Sequence, residues 1–136
     1  MSRKPRRSDS SKVTIYVCPA PAVIGMRISE AQRRMLEFER ARGWDKFKES
    51  QIFTHLVEEI SEIGRHILVK EGYKVRGLGH EVPEDDVARE FGQAFSLFLQ
   101  LANRLGVDLE KAFTEEIERM ERRFDPEKWK SYLEKG

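Results

Sequence analysis

Apolar residues recur at spacings of three and four along most of the chain after residue 28, which is typical of helices with one buried face. A short last helix follows the break at Asp125-Pro126. The pattern therefore predicts an all-α domain over residues 28–136, a bundle of four to five helices. The four long segments run from about Ser29 to Arg42, Gln51 to Val69, Glu84 to Leu105 and Leu109 to Phe124.

Polar residues and glycines at the segment ends predict where the helices begin and stop. Ser29 and Gln32 have the spacing of a capping box, and Ser50 and Asp108 are candidate N-caps of the second and fourth helices. Gly106 fits the position just past the third helix. The loop around 72–83 is long for a helical bundle and is a candidate lid.

The first 27 residues differ from the rest in charge and pattern. Residues 1–12 contain five basic residues and one acidic residue. Residues 13–17 are β-branched and aromatic, which favours a short strand or an extended clip before Pro19. We predict a flexible basic arm over residues 1–27 with a short extended segment. Such an arm either binds nucleic acid weakly through phosphates or is a solubilising tail.

The composition fits a globular protein: 39% of the 136 residues are hydrophobic and 36% are charged. No window approaches the roughly 18 consecutive apolar residues of a spanning helix. The chain start does not resemble a secretory signal. Cys18 is the one cysteine in the sequence, so an internal disulfide is excluded. We therefore expect a cytoplasmic protein with no membrane partner.

A second stripe of polar residues borders the apolar face of the second helix. At about 100° per residue its members fall within a sector of roughly 60°. They are His55, Glu59, Glu62 and His66. Carboxylates and imidazoles beside a buried face are costly unless they are paired or bound to a metal. The alternative is a solvated face with His–Glu pairs one turn apart.

The third helix has a wide apolar surface, and Glu90 falls inside it. Gln93 and Asp86 lie one turn after and one turn before Glu90, on the same side. If the second and third helices pack antiparallel, Glu59 and Glu62 face this group. Three or four oxygen ligands suit Mg²⁺ and phosphate chemistry. A salt bridge from Glu90 to an arginine in the bundle is the alternative.

An ordered set of motifs resembles the MazG-type and dCTP-pyrophosphatase-like all-α nucleoside triphosphate pyrophosphohydrolases. The family's acidic signature, EExxE followed by ExxD, stands here as Glu58–Glu62 and Glu90–Gln93, with Gln93 in place of the aspartate. The tryptophan loop Arg42–Phe47 and the run Leu101–Leu109 are also similar to the family. Arg122–Phe124 adds a further match.

The resemblance implies a bundle completed by oligomerisation, as a homodimer or homotetramer, with a nucleoside triphosphate as substrate. Glu59, Glu62 and Glu90 are then the catalytic carboxylates and the Mg²⁺ ligands, and one of them doubles as the general base. Trp44 is expected against the base and Lys46 near the phosphates. We add His55, beside the acidic motif, to the substrate-binding residues.

Gln93 is where the chain departs from the family pattern. Its neutral carbonyl oxygen removes one negative charge, so Mg²⁺ should bind less well than with aspartate. Asp86 would compensate as a ligand, or His55 would favour Mn²⁺. Two functions follow. One is a metal-dependent hydrolase that converts nucleoside triphosphates to monophosphates and pyrophosphate and cleans the nucleotide pool. The other is a non-catalytic nucleotide-binding or assembly protein with a degenerate metal site.

Overall fold

The computed structural model describes residues 25–136, and this part of the chain is all-α, as predicted. A 3-10 turn, Trp44–Lys46, links the first two helices. None of the helices between residues 25 and 136 has the length and apolarity needed to cross a membrane. The extended segment predicted at 13–17 lies outside the described residues. The helices are α1 (Ile28–Ala41), α2 (Glu49–Lys70), α3 (Val87–Arg104), α4 (Leu109–Arg123) and α5 (Pro126–Glu134).

Helices α2 and α3 pack against each other as an antiparallel pair. Their contacts run in opposite order along the two chains: His66 lies against Glu90, and Glu59 lies against Gln93. The buried apolar core of the described chain comes from these two helices alone, because both have an apolar stripe at helical spacing. It consists of Ile52, Leu56, Ala94, Leu99 and Ala102.

Gln32 ties α1 to the turn between α3 and α4. Its amide nitrogen donates to the carbonyl oxygen of Val107 at 2.8 Å, and its oxygen accepts from the backbone nitrogen of Leu109 at 2.9 Å. The Asn103 side chain donates in return to the backbone carbonyl oxygen of Gln32 at 2.9 Å. The predicted capping box is therefore wrong: α1 starts after Arg27, and Gln32 satisfies backbone groups of the distant turn instead.

Two further helix starts differ from the prediction. The N-cap of α2 is Lys48 rather than Ser50, because the Gln51 side chain accepts from the Lys48 backbone nitrogen at 2.9 Å. Helix α3 begins at Val87, not at Glu84, because the Asp86 side chain caps it.

The predicted turn into α4 is confirmed. Gly106 follows the end of α3 with a φ of 67°, a left-handed conformation that glycine adopts at little cost. The Asp108 side chain accepts from the Lys111 backbone nitrogen at 3.1 Å and caps α4.

Both central helices leave a second apolar face uncovered. On α2 the exposed residues lie three to seven positions apart, so they share one face, which we call the α2 stripe. On α3 a similar set forms the α3 stripe. The α2 stripe is Phe53, Val57, Ile60 and Ile67. The α3 stripe is Phe91, Phe95 and Phe98, continued by Leu105 directly after the helix.

Replacing Leu56 by alanine should test the small core. Leu56 is only 6% exposed, so its loss leaves a cavity and should lower the free energy of unfolding by about 2–5 kcal/mol. The matched control is Leu78→Ala in the loop before α3, where the side chain is 73% exposed. Chemical denaturation at one protein concentration measures both. Equal losses in the two variants would contradict the proposed core.

Candidate functional site

A cleft lies between α1, the 3-10 turn, α2 and α3, and we call it the central cleft. It consists of two adjoining cavities of about 400 and 390 Å³. Four residues line both cavities: Trp44, His55, Leu97 and Gln100. Each cavity is in the size range of small-molecule sites. Two of the predicted substrate-binding residues, Trp44 and His55, therefore line one cleft.

One end of the central cleft is aromatic. The ring of Trp44 meets that of Phe38 edge to face, with centroids 5.4 Å apart, and that of Phe47 at 6.2 Å. The Arg104 guanidinium donates to the carbonyl oxygens of Trp44 and Phe47, each at 2.7 Å. These bonds fix the 3-10 turn against the end of α3, so the indole is held in place at the cleft wall.

The other end of the cleft is acidic. Glu59 lines it, and Gln93 bridges Glu59 to Glu90, which lines neither cavity. The nitrogen and oxygen of a glutamine amide are assigned from their hydrogen-bond partners. With its nitrogen toward the carboxylates, Gln93 donates to Glu59 Oε2 and to Glu90 Oε2, both at 3.0 Å. Glu90 is buried, at 4% exposure, as its place in the apolar surface predicted. The amide thus offsets two negative groups on different helices.

Two histidines complete the surroundings of these carboxylates. His55 Nε2 lies 3.3 Å from Glu59 Oε1, one turn along α2. His66 Nε2 lies 3.9 Å from Glu90 Oε1, is buried and has no hydrogen-bond partner in residues 25–136. The predicted alternative, a salt bridge from Glu90 to an arginine, is wrong for the described residues. The partners of the Glu90 carboxylate there are Gln93 and His66.

Three predicted site residues are not brought to this cluster. Glu62 pairs with Arg65 on its own helix, at 3.0 Å. Asp86 caps α3 by accepting from Ala88 N at 3.0 Å. Lys46 is exposed in the 3-10 turn and does not line the central cleft.

The acidic end offers a metal fewer ligands than the sequence predicted. Residues 25–136 contain no group of three or more His, Cys, Asp or Glu side chains that could hold a metal ion. The two carboxylates of Glu59 and Glu90 do converge on the amide of Gln93. Turning that amide by 180° would present its oxygen instead, giving two carboxylates and one carbonyl. Mg²⁺ is held in many phosphate sites by one or two carboxylates, waters and substrate phosphates.

Glu39, which the sequence analysis did not single out, is buried in α1 and lines neither cavity of the central cleft. It is 1% exposed, and its carboxylate oxygens have no hydrogen-bond partner in the described part of the chain. Burial raises the pKa of its carboxyl, while Arg104 and the neighbouring Gln100 oppose this effect. Its position one turn after Met35, at the edge of the apolar stripe of α1, was the signal that could have identified it.

No protein-family model, curated protein or solved structure matches this chain. The likeness to the pyrophosphohydrolases therefore stays a resemblance of motifs. What the structure adds is independent of it: the tryptophan of one motif and the carboxylates of two others line or border one cleft.

The buried Glu39 should make stability depend on pH in a specific direction. Because its folded-state pKa is raised above the ordinary value of 4.5, the folded protein binds the proton more tightly than the unfolded chain. The free energy of unfolding therefore falls as the pH rises from 4.5 through the raised pKa. Glu39→Gln removes this ionisation. We expect the variant to be more stable than the wild type above that pKa and to lose the advantage below 4.5.

Thermal unfolding across pH measures this difference. Glu37→Gln, at an exposed position of α1, is the control and should follow the wild type. If the melting temperatures of Glu39→Gln and the wild type changed in parallel with pH, the ionisation of Glu39 would not destabilise the folded protein.

Proposed function

We propose that this protein is a metal-dependent nucleoside triphosphate pyrophosphohydrolase that cleans the nucleotide pool. The observation that supports it best is the central cleft, in which an aromatic end is joined to Glu59 and, through Gln93, to the buried Glu90. A nucleotide has the same two-part chemistry, with a flat base and a polyanionic chain that is bound with divalent cations. The order of the motifs in the sequence points to the same activity.

The base would bind at the aromatic end. Stacking on an aromatic side chain contributes about 1–3 kcal/mol per base, and the indole of Trp44 is both partly exposed and fixed by the bonds from Arg104. Phe38 and Phe47 flank it. This end accepts a flat ring without requiring a particular base.

The phosphates would bind at the acidic end, where Glu59 and Glu90 would hold Mg²⁺ together with the Gln93 oxygen. When bound, the metal would neutralise phosphate charge and polarise the bond to be cleaved. Glu59 would take the proton of the attacking water as general base, because it borders the cleft and is only half-buried. His55, 3.3 Å away, would stabilise or accept that proton. Glu62 would join only after leaving Arg65.

The bridge from Gln93 favours a second candidate, a non-catalytic nucleotide-binding protein. The amide already satisfies both carboxylates without a metal. An aspartate at this position would place a third negative charge beside them and would require a cation. On this hypothesis the chain keeps the aromatic end for binding and has lost hydrolysis.

Pyrophosphate release from a panel of nucleoside triphosphates, with Mg²⁺ and then Mn²⁺, separates the two candidates. If the protein is an enzyme, the wild type turns over and Glu59→Gln loses at least about a hundredfold, the usual scale for a general base. Glu58→Gln is the control, an exposed carboxylate on the neighbouring face.

A Gln93→Asp variant completes this experiment. Turnover by Gln93→Asp alone would show a disabled relative and support the second candidate. Nucleotide binding without turnover in either protein would also support it. Absence of both binding and turnover would contradict both candidates.

We also propose that the chain assembles as a homodimer or homotetramer. The α2 and α3 stripes leave eight large apolar residues uncovered, and Ile60 and Phe95 are 53% and 48% exposed. Contiguous apolar patches on soluble proteins mark interaction surfaces. A two-fold assembly would cover the same stripe on both copies at once, because the same surface meets itself across the axis.

A charge placed in the α2 stripe should separate the copies. Ile60→Glu puts a carboxylate at the centre of the stripe, where burial without a partner is costly, so sedimentation should show a shift from dimer or tetramer to monomer. The matched control, Ser61→Glu, adds the same charge one residue away, outside the stripe. A wild type that sediments as a monomer would contradict the assembly.

A further inference from the structure

The exposed apolar face of α2 contains a glycine. Gly64 lies four residues after Ile60 and three before Ile67, so it shares the face of the α2 stripe. A glycine inside a helix lowers helix stability relative to alanine. A Cβ added at Gly64 would meet no atom of another part of the described chain within 4 Å. Packing within residues 25–136 therefore does not require a glycine here, whereas the close approach of a second molecule would.

With Gly64 included, the residues of this face follow one another in alternating steps of four and three. We call this set the α2 seam, and its members are Phe53, Val57, Ile60, Gly64 and Ile67. Such steps are the spacing of the a and d positions of a coiled coil, where each side chain inserts between side chains of the facing helix. The four large members are 48% to 55% exposed. The spacing thus fits one partner helix, and the glycine leaves a gap in the seam.

A second copy of α2 carries a side chain that fits this gap. When two copies of the seam run antiparallel, positions of one type face positions of the other type. One such alignment places Phe53 of each copy opposite Gly64 of the other copy, and Val57 opposite Ile60. Phe53 is the largest side chain of the seam, and large residues opposite small ones allow two packed layers to interdigitate. The two-fold symmetry forms the same contact twice.

We propose that two copies of the chain pair through α2 in antiparallel direction, with Phe53 of each copy seated against Gly64 of the other. This inference rests on the proposed assembly and is independent of the proposed hydrolysis. It names the partner as a second copy and fixes the alignment of the two helices. The two-fold axis then crosses α2 between residues 58 and 59.

A parallel pair would not use the gap. Gly64 would face its own copy and leave a void, while the two rings of Phe53 would crowd each other, and both arrangements cost stability. The α3 stripe has no corresponding gap, because all its members are large. The antiparallel pair of α2 helices is therefore the arrangement in which the glycine has a use.

The α3 stripe lies on the same side of the α2–α3 pair. On both helices the stripe is about 100–130° around from the residues that join the pair, counted at about 100° per residue, and the two helices are antiparallel. Gln93 of α3 lies beside Glu59 of α2. An axis that crosses α2 between residues 58 and 59 therefore crosses α3 near Phe95. The same axis would bring the two α3 stripes together.

The combined surface is large enough for a stable dimer. Each copy contributes the eight side chains of the two stripes, which are 46% to 62% exposed. At about 100 Å² for each half-exposed side chain, two copies would cover roughly 1,500 Å². Stable interfaces bury about 1,200–2,000 Å². The α2 stripes alone would fall short of this range, so both stripes are needed.

This pairing leaves the central cleft open. His55 lines both cavities of the cleft. It lies about 160° around α2 from the centre of the seam, counted at about 100° per residue. The two clefts of a dimer would therefore face outward, and substitutions in the seam change association without touching the cleft.

Disulfide cross-linking tests the direction and the alignment of the two helices. In a Cys18→Ser background, Phe53→Cys and Gly64→Cys are purified separately, mixed and oxidised. Directly facing positions bring two Cα atoms within the about 7 Å that a disulfide requires. We expect cross-linked dimers from the mixture and not from either variant alone, where the two thiols would be roughly 16 Å apart along the helices.

The matched control for cross-linking is Thr54→Cys mixed with Gly64→Cys. Thr54 follows Phe53 directly but lies about 100° around the helix from it, so its side chain points away from the seam. We expect no cross-link in this mixture, because Cβ atoms that point apart cannot be bridged.

Paired changes of size test the contact itself. Gly64→Leu fills the gap below Phe53, and Phe53→Ala removes the ring, so each should raise the dimer Kd at least about tenfold. In the double variant the leucine replaces the lost ring, so most of the affinity should return and the two losses should not add. Gly92→Leu is the control. It fills another open helical glycine, outside both stripes, and should keep the wild-type Kd.

Sedimentation measures these dissociation constants, and circular dichroism confirms that each variant is folded. A wild type that stays a monomer would overturn the pairing together with the proposed assembly. A dimer whose single-cysteine variants cross-link with themselves would be parallel, and a dimer without any cross-link would use another surface. Either result would overturn this inference alone. Additive losses in the double variant would overturn the contact between Phe53 and Gly64.

Discussion

The bridge from Gln93 to Glu59 and Glu90 is the interaction on which the centre of this structure depends. Two carboxylates, one of them buried, face each other across the packed pair α2 and α3. Without a donor between them their charges would repel and separate the helices. One amide with two N–H groups satisfies both, within the same helix pair that buries Ile52, Leu56 and Ala94. The core and the candidate site therefore share one constraint.

Periodicity predicted the helices and the burial of Glu90, because both depend on the spacing of apolar residues along one segment. Helix ends were less predictable. Asp108 caps α4 as expected, since its partner lies three residues away. Gln32 instead bonds across 75 and 77 residues to the α3–α4 turn. Local spacing carries no information about such a partner.

The site was predicted in part for the same reason. Glu59, Glu90 and Gln93 meet because all three lie at the inner edge of packed helices. Glu62 lies on the same sector of α2 but has Arg65 three residues away, and a nearby opposite charge competes with any distant group. Glu39 was missed, since a single charge at the edge of an apolar stripe resembles any surface glutamate until α3 is packed against it.

Arg104 connects the aromatic end of the cleft to the end of α3. It is the last residue of α3 and donates to the carbonyl oxygens of Trp44 and Phe47, while Gly106 and Asp108, two and four residues further on, form the turn into α4. The end of α3 therefore supports both the 3-10 turn that carries the indole and the turn from which α4 starts, so the aromatic wall and α4 are positioned by the same few residues.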